Sequence, residues 1–119
     1  MTIFNAYNEF TGARSKAVLS EVWHERIRQD ERWGEQNHPD LDPRLPRHVP
    51  LRDFAAFARH WKAANEYAVS QGAESWDGIL LEEVYEALSE EDPAKLRAEL
   101  IQVAAVAVAW VEAIDRRSA

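Results

Sequence analysis

The segment from Leu100 to Val111 constrains the fold of this chain more than any other. Its side chains are apolar nearly all round a helical wheel, with Gln102 the only strongly polar one. A helix of that kind is buried on several sides. At 119 residues the chain is long enough for one domain with a core and too short for two comfortable ones, so a single domain over 1–119 is expected. One small domain can hardly enclose such a helix. Part of its surface is therefore expected to meet a second copy, most simply in a two-fold homodimer and otherwise in a higher oligomer.

The rest of the chain reads as helices around that segment. Residues 1–15 carry Phe4, Tyr7 and Phe10 without helical periodicity, and are expected to form an arm that packs on the domain or on a second subunit. From Lys16 to Arg32 the apolar positions Leu19, Val22, Trp23 and Ile27 recur at helical spacing, and Gly34 is placed to stop that helix. Residues 35–50 hold four of the five prolines, so they form a loop, either functional or a flexible excursion. Leu51 to Gln71 is a second helix, with Phe54, Phe57, Ala58, Trp61, Ala64 and Ala68 as its buried stripe and Gly72 as its stop. Ser75 is a candidate cap for a third helix from Trp76 to Glu91. Asp92 caps a fourth that begins at Pro93 and runs to Arg116, where Arg116 and Arg117 suit the negative end of the dipole. No strand pattern and no internal repeat is visible. The expected architecture is all-α, a four-helix bundle joined mostly by short turns.

Composition narrows the chemistry. With no cysteine, neither a disulfide framework nor a thiolate metal site can exist, and any metal ligand is carboxylate, amide or imidazole. The N-terminus lacks the order of a signal peptide and no apolar run reaches the ~18 residues needed to span a bilayer, so a cytoplasmic protein without a membrane partner is expected. A formal charge of −7 disfavours nucleic acid, because counterion release needs a clustered cationic surface. A free nucleotide remains compatible if metal ions bridge its phosphates to carboxylates. The five Trp offer stacking faces or, more simply, core anchors.

The stretch Ile79-Leu80-Leu81-Glu82-Glu83-Val84-Tyr85-Glu86-Ala87-Leu88 places three carboxylates within about a quarter turn of a helix, while Leu81, Val84, Tyr85 and Leu88 lie off that arc. Either this is a solvated acidic face, with Glu90 in the same arc, or it is one wall of a divalent-cation site. Glu99 and Gln102, three apart, open a face that continues through Val103, Val106 and Trp110. Polar groups opening such a stripe need partners, since an unpaired buried carboxylate costs several kcal/mol and takes up a proton instead. Glu99 pairs with Arg97, Lys95 or Arg59, or it shares a hard cation such as Mg²⁺ or Mn²⁺ with the other carboxylates.

Glu82-Glu83-x-x-Glu86, twelve residues, then Glu99-x-x-Gln102 resembles the EExxE…ExxD signature of the MazG-like all-α nucleoside triphosphate pyrophosphohydrolases. The run Glu25-Arg26-x-x-Gln29-Asp30-x-x-Trp33-Gly34-x-Gln36-Asn37-His38-Pro39 is similar to a phage and actinobacterial subgroup of that family, so the resemblance spans about Glu25 to Arg117. It implies an all-α NTP-pyrophosphatase fold and Mg²⁺-dependent cleavage of a (deoxy)nucleoside triphosphate to the monophosphate and pyrophosphate. By position it makes Glu83, Glu86, Glu99 and Gln102 metal ligands, and Glu82 a ligand or the catalytic base that orients water. Lys62 and Asn65 would then lie near phosphate or base. Independently of the resemblance, Gln29 and Trp33, with Gln36, Asn37 and His38, could form a lid or a base-binding edge, since Trp stacks and amides read Watson–Crick groups. Without the analogy, Lys62 and Asn65 belong to an exposed polar face and Trp33 is a core anchor. The departure is Gln102, which stands where the family has Asp. A site with a weaker or missing ion, a site completed by another acid, and a homologue that binds without hydrolysing all fit that change, and the first is favoured. Glu21-Val22-Trp23-His24 is a single ExxH, where a di-iron bundle needs two, so an oxidative di-iron enzyme ranks well below the hydrolase.

Overall fold

The computed structural model describes the backbone of residues 3–46 and 49–118 and the side chains of residues 12–46 and 49–117. Among the described residues the chain is all-helical, with four α-helices and no strand: α1 (Ile3–Trp33), α2 (Phe54–Ser70), α3 (Trp76–Ser89) and α4 (Pro93–Ser118), with a 3₁₀ turn at Pro50–Arg52. No helix is long and apolar enough to cross a membrane. The chain divides into two compact units, one formed by Met1–Leu41 and Val108–Ala119, the other by Asp42–Ala107.

The helix ends follow local chemistry. α1 closes at Gly34, whose φ of 68° is open to glycine and whose N–H donates to Asp30 O at 2.8 Å. α2 starts where Asp53 accepts from Ala56 N at 3.2 Å, three residues beyond Leu51, because Pro50 first turns the chain into the 3₁₀ turn. It ends in a Schellman motif: Gly72 at φ 62° donates to Val69 O (3.1 Å) and Ala73 N to Ala68 O (2.9 Å). Asp92 caps α4 as expected, its carboxylate accepting from Lys95 N at 3.0 Å, with Pro93 at the first helical position and Arg116 and Arg117 in the last turn. Ser75 occupies the cap position of α3 but makes no side-chain cap. Its hydroxyl serves the Asp77 carboxylate instead, which also accepts from Gly78 N at 2.8 Å. α1 begins at Ile3 rather than near Lys16. No proline precedes Pro39, and lengthening an existing helix needs no new nucleus. The expected packing of Phe4, Tyr7 and Phe10 lies outside the described side chains.

In the unit Asp42–Ala107, α2 packs on α3. The stripe Phe54, Phe57, Ala58, Trp61, Ala64 and Ala68 is half-buried along its whole length, while Arg59, Lys62 and Glu66 are exposed. Tyr85 of α3 meets it, with its ring 5.1 Å from Phe57 and 6.4 Å from Phe54. Ala87 and Gly78 are buried, so α3 approaches its surroundings where its side chains are smallest. The Pro-rich loop is fastened here by Arg52, whose guanidinium donates to the carbonyls of Asp42 (3.1 Å) and Leu45 (2.8 Å). In the other unit, Ser15 Oγ on α1 donates to Glu112 Oε1 on α4 at 3.1 Å, and Val18 is buried.

Candidate metal centre

The acidic arc of α3 is only partly open to solvent. Glu82, Glu83 and Glu86 are all half-buried, as are Leu81, Val84, Tyr85 and Leu88 beside them. Glu99, half-buried in the second turn of α4, completes the group: one carboxylate oxygen from each of Glu83, Glu86 and Glu99 lies within 4.8 Å of the others. Among the described residues this is the only group of three His, Asp or Glu side chains that converge closely enough to hold a metal ion. Glu90 has a separate task, its carboxylate accepting from Asp92 N at 3.2 Å in the turn between α3 and α4.

Among the described residues no basic side chain forms an ion pair with Glu83, Glu86 or Glu99. Glu99 makes no ion pair with Arg97, Lys95 or Arg59; ion pairs elsewhere join Arg26 to Asp30, Arg28 to Glu25 and Arg44 to Asp42. Burial pushes the Glu83 carboxyl up, and the charges of Glu99 and Glu82 push it further. Burial likewise raises Glu86, followed by the charges of Glu83, Glu82 and Glu99 and by its hydrogen bond to Glu82. At 4.8 Å and an effective dielectric constant of about 20, two unit charges repel by about 3 kcal/mol, less where water reaches the pair. Water, protons or a cation can relieve that repulsion.

Glu82 stands beside the group of three rather than in it. Its Oε1 accepts from Asn65 Nδ2 on α2 at 2.8 Å, and the same nitrogen donates to Gly78 O at 2.9 Å. Gly78, which sequence reasoning passed over, leaves the space that the amide occupies. The available signal was a glycine inside a helical pattern, a placement that costs about 1 kcal/mol against Ala and usually has a packing reason. Lys62 is exposed one turn before Asn65, and Gln102 is exposed one turn after Glu99.

Gln29 and Trp33 belong to the other unit. Gln29 accepts from Arg26 Nη1 at 2.6 Å and lines an open, mostly apolar groove of about 320 Å³ with Val18, Val22 and Val111. Trp33 is 55% exposed and carries the Arg32 guanidinium 5.0 Å above its ring, so within the described residues it is not a core anchor. Gln36, Asn37 and His38 are exposed in the loop. His24 uses Nδ1 on Ser20 O at 2.6 Å, and neither it nor Glu21 joins a second metal-binding group among the described residues. Comparisons with protein families, with characterised proteins and with solved structures return no match to this chain.

Proposed function

We propose that the chain is a metal-dependent nucleotide pyrophosphohydrolase, cleaving a (deoxy)nucleoside triphosphate to the monophosphate and pyrophosphate, as its resemblance to the MazG-like enzymes implies. The observation that carries this reading is the convergence of Glu83, Glu86 and Glu99 from two helices with no basic partner among the described residues. The donor set fits a hard divalent ion: three carboxylates, no thiol and no imidazole. Glu83, Glu86 and Glu99 would hold Mg²⁺ or Mn²⁺, and Gln102 would add a neutral oxygen from the same face of α4. Such an ion, when bound, neutralises phosphate charge and supplies an acidified water. Glu82 orients the attacking water and accepts its proton. Lys62, exposed on α2, reaches into solvent to meet phosphate. A second copy of the chain covers the apolar side chains that α4 leaves exposed, and the protein acts in the cytoplasm. One observation favours a nucleotide-binding protein that does not hydrolyse: Gln102 brings no charge to the site.

Incubation with the common NTPs and dNTPs plus Mg²⁺ or Mn²⁺ tests the reading. Chromatography is expected to show monophosphate and pyrophosphate in equal amounts, with Glu83→Ala at least about tenfold slower, since losing only the hydrogen-bond partner of a metal ligand already costs about 10- to 100-fold. Orthophosphate in place of pyrophosphate would move the cleavage position. No product from any substrate, with wild type and Glu83→Ala alike in metal binding, would leave the silent reading.

A further inference from the structure

We infer that Asn65 is a positioning residue: it anchors Glu82 beside the carboxylate group, and Gly78 is the notch that admits it. The inference rests on the hydrolase reading for its kinetic consequence and on hydrogen bonding for its structure. The amide nitrogen of Asn65 has two hydrogens, and both are used, one on Gly78 O at 2.9 Å and one on Glu82 Oε1 at 2.8 Å. A backbone carbonyl and a carboxylate only accept, so the amide has one sensible orientation, nitrogen toward α3. Neither hydrogen is left for a nucleotide.

The space around this amide is equally specific. Gly78 is buried, and a Cβ built there would run into Oδ1 of Asn65, with Asn65 Cγ at 3.5 Å and Ser75 Oγ at 3.6 Å as its next neighbours. Any side chain at 78 therefore displaces the amide rather than the helix. Left alone, Glu82 would turn away from Glu83 and Glu86, whose charges repel it; a neutral donor on α2 holds one of its oxygens without adding a positive charge that would compete with a metal ion. This arrangement makes Glu82 the base and leaves the ion to Glu83, Glu86 and Glu99, which alone among the described residues converge within 4.8 Å.

Steady-state pyrophosphate release with Mn²⁺ should separate this role from substrate contact. In Asn65→Ala and in Gly78→Ala, kcat is expected to fall about 10- to 100-fold with KM for the nucleotide and affinity for Mn²⁺ nearly unchanged. The double variant should lose no more than either single one, because both remove the same hydrogen bonds. Asn65→Asp, similar in shape but without the donors, should be at least as slow as Asn65→Ala. A raised KM with kcat retained would make Asn65 a nucleotide contact and overturn the inference, as would a Gly78→Ala enzyme with wild-type kcat. The two readings fail separately. If the wild type cleaves no triphosphate, the hydrolase reading fails, and the NMR resonances of the Asn65 side-chain NH₂ in the metal-free protein still decide the geometry. They are expected to shift in both Gly78→Ala and Glu82→Gln, and unchanged resonances in both would sink it.

Discussion

Glu86 shows at the scale of one residue how the site stores its conflict. It has carboxylate neighbours at Glu82, Glu83 and Glu99, and both it and Glu83 are held above the ordinary value of 4.5 by burial and like charge. A carboxyl raised in the folded state binds protons more readily there than in the unfolded chain. Its stabilising share is therefore complete below the unfolded value and is lost as pH rises through the folded one. In chelator, the melting temperature of the wild type should fall relative to Glu86→Gln as the pH rises above 4.5, and millimolar Mn²⁺ should close the gap. Glu25, Asp42 and Asp77 are held below their usual values by Arg28, Arg44 and Ser75 respectively and act with the opposite sign, so the difference between the two proteins isolates Glu86. A metal-free Glu86→Gln no more stable than wild type at neutral pH would refute this account. Gln102 is the converse case, an uncharged side chain where the MazG-like signature that this sequence resembles has an acid. Gln102→Asp should tighten Mn²⁺ binding in calorimetry; unchanged affinity would place the position outside the site.

Among the elements, the helix ends are the best-determined features. Gly72 at φ 62° can become Ala only by forcing a Cβ into the left-handed region, so Gly72→Ala should cost about 1 kcal/mol. Removing the cap in Asp92→Ala should cost a similar amount, again about 1 kcal/mol, although the two sites differ completely in mechanism. Each would lower the melting temperature by roughly 3–6 °C in a chain of this size, and chemical denaturation would check both. These ends were legible beforehand because glycine stops and Asp-Pro starts act within one turn. The start of α1 was not: residues 3–15 lack a periodic apolar face, but they also lack a proline, and the helix continues through Gly12 to Ile3.

At the scale of the molecule, burial is thin. Only Val18 and Ala87 are buried apolar residues among those described, and no large side chain is fully buried. Trp23 is 63% exposed, and Leu100 and Ile101 on α4 are 51% and 56% exposed. A chain that leaves such side chains in water is expected to gain stability from a second copy. Its melting temperature should rise with protein concentration, and sedimentation should give about twice 13.7 kDa. Ile101→Glu should weaken that association, since an unpaired charge at an apolar contact costs several kcal/mol. A concentration-independent melt with a 13.7 kDa species would reject the dimer.

Sequence alone determined what depends on a few neighbouring residues: the four helices and their order, the stops at Gly34 and Gly72, the start at Asp92-Pro93, the half-buried stripe of α2, and three carboxylates sharing one face of α3. Those features arise from side chain to backbone hydrogen bonds, from φ and from helical periodicity, all confined to a turn or two. Only the tertiary structure decided which polar group meets which across helices. It turned Glu99 toward Glu83 and Glu86 instead of toward Lys95, Arg97 or Arg59, gave both hydrogens of the Asn65 amide to α3, and withdrew the Ser75 hydroxyl from its cap to Asp77. Spacing within one helix places a residue on a face; the partner of that face is set by the packing of other helices, and no local rule contains it.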